Sequence, residues 1–152
     1  MRRKLLGLFW LGVLLSLAAG CSGKASDQTK EPKKGEDEGL HGGTLFAPGK
    51  GQHTYHLELS KPEKDKPVYL YVLNSNANKH VPISAKTIEM EIKGDKPQKI
   101  EFKAESQEGD QKDESSRFTA PAGKVPDKLD LSKVEIHVEI KGKQYHFLED
   151  KD

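Results

Sequence analysis

The sequence predicts an all-β domain, a small antiparallel β-sandwich of the immunoglobulin-like kind, placed behind a signal peptide and a polar tether. Three observations point there. Apolar and polar residues alternate at strand period, most cleanly in Val134, Ile136, Val138 and Ile140 against Glu135, His137, Glu139 and Lys141. Gly, Pro and Asn turns separate the runs, as at 75–79, 94–97 and 142–143. Beyond residue 20 there is no helix-period stretch of useful length. Short strands at this spacing fold back on one another and bury one face of each, which favours two packed antiparallel sheets.

Residues 1–20, MRRKLLGLFWLGVLLSLAAG, carry three basic residues and then an apolar run of 15 residues, 5–19. That is the pattern of a signal peptide, too short to span a bilayer comfortably. The run ends in Leu17-Ala18-Ala19-Gly20-Cys21, which resembles a bacterial lipobox. The departure is Ala18, where leucine is usual. The resemblance implies that Cys21 becomes the first mature residue and carries a thioether-linked diacylglycerol, with palmitate-type chains. At roughly 0.8 kcal/mol per buried methylene, two or three such chains anchor a protein essentially permanently. Ser22 follows, where an aspartate would imply retention at the inner membrane, so the resemblance points to the outer membrane, facing the periplasm. Cys21 is the single cysteine, so no internal disulfide can form and stability must come from packing.

Residues 21–39 form the lipidated tether. From Ser22 to Gly39 there is no large apolar residue, so the segment cannot offset its chain entropy and is expected to be disordered. The domain spans 40–150. Its centre is the stretch 52–74, with strands at 54–60 and 67–74. In the first, Tyr55, Leu57 and Leu59 share one face, and His56 and Glu58 the other, read as wet. The second, Val68 to Leu73, is continuously apolar, as in a strand covered on both sides. Further strands are expected at 80–84, 85–93, 98–104, 116–120, 133–141 and 144–149, with a helical turn at 127–131. Residues 106–116 read as a disordered acidic loop.

Charged residues make up 32% of the 152-residue chain. Without Arg2, Arg3 and Lys4, 22 basic residues face 24 acidic ones, a net of about −2 with the signs interleaved. There is no basic stripe, which argues against nucleic acid as a partner. Catalysis finds no support either: Cys21 is consumed by lipid, Ser115, Ser116 and Ser132 lack a nucleophile-elbow context, and no helix follows the glycine pairs to make a phosphate loop.

The candidate chemistry is metal binding. His56 and Glu58 stand two apart on one strand face, roughly 7 Å from each other, near enough to share a cation. His41 opens His41-Gly42-Gly43, where glycines allow close backbone approach. A His41/His56/Glu58 set suits zinc or copper(II), the cofactors this chain could hold. His137 and Glu139 repeat the spacing, so it is cheap in an alternating strand, and solvated surface histidines account for both pairs equally well.

His41-Gly42-Gly43, Tyr55-His56-Leu57-Glu58-Leu59, Val68–Asn74, Val81-Pro82-Ile83, Ser115-Ser116-Arg117-Phe118 and the late Ile140-Lys141-Gly142-Lys143-Gln144-Tyr145 occur in this order. The set resembles small exported bacterial proteins of planctomycete type with an HGG start and a YHxEL strand. Asn74 and Lys141 are departures from that pattern, which has aspartate and asparagine there. A similar module is appended to some periplasmic adaptor proteins of heavy-metal efflux systems. The residues themselves favour a lipid-anchored extracytoplasmic, non-catalytic binding or accessory module, with the membrane and an envelope protein as expected partners. The alternative that the resemblance implies is a weak copper- or zinc-binding module linked to efflux.

Overall fold

The computed structural model describes residues 39–49 and 54–150, which all belong to one unit. The 1–20 leader, Cys21, the tether up to residue 38 and His53 lie outside the described residues. The architecture is all-β and antiparallel: β1 (Thr44–Pro48), β2 (Tyr55–Leu59), β3 (Val68–Asn74), β4 (Thr87–Ile92), β5 (Gln98–Ala104), β6 (Arg117–Ala120), β7 (Val134–Ile140) and β8 (Lys143–Glu149). A single 3-10 turn, Leu131–Lys133, precedes β7, slightly later than the helical turn expected at 127–131. The stretch 80–84 makes only isolated bridges, Leu73 with His80 and Ile83 with Ser115.

The strands close into a barrel in the order β1-β2-β3-β6-β5-β4-β7-β8, which corrects the expected immunoglobulin-like sandwich. The reason is β1, a strand the alternation did not mark. Its first three residues pair with β2, Thr44 opposite Leu59 through Phe46 opposite Leu57. Its last three pair with β8, Phe46 opposite Glu149 through Pro48 opposite Phe147. A short strand that changes partner halfway along turns a corner between two sheets, and here it removes both open edges. Pro48 is tolerated because it is the last residue of the strand, where its missing N–H does least harm to the ladder.

An eight-stranded barrel is just wide enough for side chains to fill it. Phe46, Phe102, Phe118 and Phe147 do so here, with Leu57, Leu70, Ile88, Met90, Ile136 and Ile140, all fully buried. Two long crossovers, 75–86 and 121–133, carry the chain across the barrel ends. They insert the β4–β5 hairpin between β6 and β7.

One stretch of wall is not wet. All five residues of β2 are buried, His56 and Glu58 included, which corrects the expected polar face. Register explains it: Leu45, Glu58 and Tyr71 form one outward row across β1, β2 and β3, and His56 stands opposite Leu73 in the next. Leu45, Tyr71 and Leu73 make a second apolar cluster outside the barrel, with Tyr69 and Ala77 against it. The continuously apolar β3 is therefore covered on both faces, as its sequence predicts.

Candidate metal centre

The outer cover of β2 begins with a tight turn, in which Gly39 N donates to Gly43 O and Gly42 N to Gly39 O. Gly42 sits at φ +72°, a conformation open to glycine. A Cβ on Gly43 would lie 2.3 Å from the Leu59 carbonyl oxygen, and one on Gly39 would lie 2.2 Å from Glu58 Cδ. The glycines thus let the backbone lie directly on β2. Their payload is Glu58, which has no exposed surface. Its Oε1 accepts from the backbone N–H of His41 (2.7 Å) and of Gly43 (2.8 Å), and its Oε2 meets His41 Nδ1 at 2.9 Å. Three partners satisfy a carboxylate that would otherwise be costly to bury.

This arrangement fixes the His41 tautomer. A ring that donates Nδ1–H to a carboxylate presents Nε2 with its lone pair free, the arrangement common to metal-bound histidines. His41 Nε2 lies 3.2 Å from His80 Nε2, and the two rings are within 5° of parallel. Tyr71 stacks under His41 at 3.8 Å. Burial pushes the Tyr71 phenol above its ordinary pKa, so it is neutral at physiological pH and acts as a platform.

His80 is oriented from its far side. Its Nδ1 is 3.1 Å from Gln107 Nε2, which also donates to Ser116 Oγ at 2.6 Å. Ser116 Oγ donates to Asp110 Oδ1, and Asp110 Oδ2 accepts from the backbone of Gln107 and Ser116. The loop expected to be disordered is thus tied down by Asp110, which holds Gln107 and Ser116 against His80. Without metal the chain of donors is self-consistent: Gln107 donates to His80 Nδ1, and His80 Nε2–H donates to His41 Nε2.

Two imidazole nitrogens on a tetrahedral zinc, each about 2.0–2.1 Å from it, stand about 3.3 Å apart. The observed 3.2 Å fits a metal edge as well as a shared proton. For both Nε2 atoms to face an ion, His80 must carry its proton on Nδ1. A half-turn of the Gln107 amide supplies the acceptor, at the expense of its bond to Ser116. Two ligands leave further positions to water or to a partner's side chain. A hollow of about 470 Å³ lies beside His41, lined also by Lys66 and Tyr69, and one of about 420 Å³ lies beside His80, lined also by Lys79 and Glu108.

Of the residues singled out from sequence, His41 and Glu58 meet. Glu58 holds His41 rather than standing open to an ion, because its contacts engage both oxygens. His56 points elsewhere: Nδ1 is 3.3 Å from the Asn74 carbonyl and Nε2 is 3.4 Å from Asp150 Oδ2. The residues that sequence reasoning did not single out are His80, Gln107 and Asp110. No spacing signal links them to His41, since crossover 75–86 and loop 105–116 bring them there.

Burial, and next the proximity of His41, lower the His80 pKa below its ordinary 6.5, with Asp110 and Glu58 acting the other way. As pH falls through 6.5 the unfolded chain therefore takes up a proton that the folded one refuses. Stability should be lost on acidification until folded His80 itself titrates. The urea midpoint of metal-free protein should decline below pH 6.5, and less steeply in His80→Ala. An equal decline in both would contradict the assignment.

Comparisons with protein-family models, with curated proteins and with solved structures find no match to this chain.

Proposed function

We propose that the chain is a lipid-anchored, non-catalytic accessory module of the cell envelope, whose barrel captures copper or zinc reversibly through His41 and His80. The observation that carries the metal reading is the pair of Nε2 atoms 3.2 Å apart, with His41 held by a fully buried carboxylate. A surface histidine has no need of a carboxylate with three hydrogen bonds behind it. The His80 tautomer change and the two-residue ligand set favour capture and release over a closed structural site. The domain should fold without metal and gain mass-action stabilisation when metal is added. The anchor reading is supported by the lipobox-like sequence at Cys21 and by its being the sole cysteine.

The test is a zinc and copper(II) titration of full-length protein, purified in detergent without a polyhistidine tag. Binding at this centre should weaken roughly 100-fold or more in His80→Ala, stay unchanged in His56→Ala, and fade on acidification as protons compete for the imidazole nitrogens. Binding no tighter than about millimolar, or indifference to His80→Ala, would sink the metal reading. The anchor is checked separately: Cys21→Ser should block lipidation and leave an uncleaved or soluble species, and a variant that still partitions into detergent with the mobility of the mature protein would refute lipidation.

A further inference from the structure

On the β7–β8 wall, His137 and His146 are direct cross-strand partners, and Glu135 precedes His137 by two residues on the same face. Opposed residues of an antiparallel pair have Cβ atoms about 4.5–5.5 Å apart, and those at i and i+2 share a face. The backbone therefore brings two imidazoles and a carboxylate to one patch without help from a loop. One ligand atom from each residue lies within 4.8 Å of the others. His137 Nε2 is 3.8 Å from Glu135 Oε2, and the two rings meet edge to face with centroids 4.6 Å apart. Glu139, equally spaced from His137, takes no part: it accepts from Gln144 at 2.8 Å.

We propose that Glu135, His137 and His146 form a second, partly exposed metal site for zinc or copper(II). It shares no residue with the His41–His80 centre and does not rest on it. Donors on tetrahedral zinc stand about 3.3 Å apart, so small side-chain rotations on a rigid wall complete the set. Two nitrogens and one oxygen suit these borderline ions and leave an open position for water. Glu135 is available as an anion, because the Lys93 ammonium, 2.6 Å away, holds its carboxyl below the usual range. The same lysine competes with any incoming cation. The site is therefore tuned to weak binding, and the competition supplies a signature that a chance histidine pair lacks.

The experiment is calorimetry with zinc and electron paramagnetic resonance with copper(II), on full-length, tag-free, chelator-stripped protein in detergent. In His80→Ala, which removes a ligand of the first centre, one ion should still bind. Adding His146→Ala should weaken it at least tenfold, adding Glu135→Gln should weaken it several-fold, and adding Lys93→Ala should tighten it. Absence of binding tighter than millimolar in His80→Ala, or no response to His146→Ala, overturns the site. No response to Glu135→Gln leaves a two-histidine chelate and overturns the three-ligand assignment. A wild type that binds one ion, loses it in His146→Ala and ignores His80→Ala supports this site while refuting the His41–His80 centre.

Discussion

Glu58→Ala is expected to destabilise the metal-free domain by about 2–5 kcal/mol, at about 1–3 kcal/mol for each backbone donor left without its acceptor. The substitution leaves the backbone N–H groups of His41 and Gly43 facing an apolar void under the 39–43 turn. It also frees the His41 ring, whose Nδ1 has Glu58 as its partner. Urea unfolding of wild type and variant without metal measures the loss. A difference within about 0.5 kcal/mol, the level of an ordinary surface change, would mean that Glu58 is not buried as described. Glu58→Gln separates structure from chemistry. Its amide oxygen can still accept from both backbone groups, while its NH₂ donates to His41 Nδ1. That reverses the His41 tautomer and puts a proton on Nε2, facing His80. Stability should fall by only about 1 kcal/mol, whereas affinity for zinc or copper(II) at the proposed centre should fall roughly 10–100-fold, the usual cost of losing the acceptor behind a metal-binding histidine.

Ile136→Ala should cost about 2–5 kcal/mol, the usual range for truncating a fully buried aliphatic side chain. Ile136 has no exposed surface and stands between Met90 of β4 and Phe147 of β8. A filled barrel cannot collapse onto the void, because the hydrogen-bonded wall holds its neighbours in place. Its neighbour in sequence, Glu135, points outward to an exposed lysine, so Glu135→Ala should cost less than about 1 kcal/mol. Denaturant unfolding of the two variants, without metal, compares the faces of one strand. Equal losses would reverse the inside and outside of β7.

Much of the fold was legible because alternation is a local property. Ile88 and Met90, Ile100 and Phe102, and Val134 to Ile140 each show their buried face within one strand, and β4, β5 and β7 fall where the pattern puts them. The unbroken apolar run Val68–Leu73 correctly signalled a strand covered twice. β1 was not legible. Five residues ending in proline carry little period, yet their pairing with both β2 and β8 decides between an open sandwich and a closed barrel. Pairing partners far apart in the chain leave no trace in the spacing of either.

The candidate site divides in the same way. The sequence alone determined that His56 and Glu58 share a face of β2 and that two glycines follow His41. Only the tertiary structure decided that this face is buried, that Glu58 turns to His41 while His56 turns to Asp150, and that His80 completes the pair. A strand dictates which way its side chains point. What covers them depends on where a glycine turn and a crossover come to rest, and that is set by the register of the closed barrel as a whole.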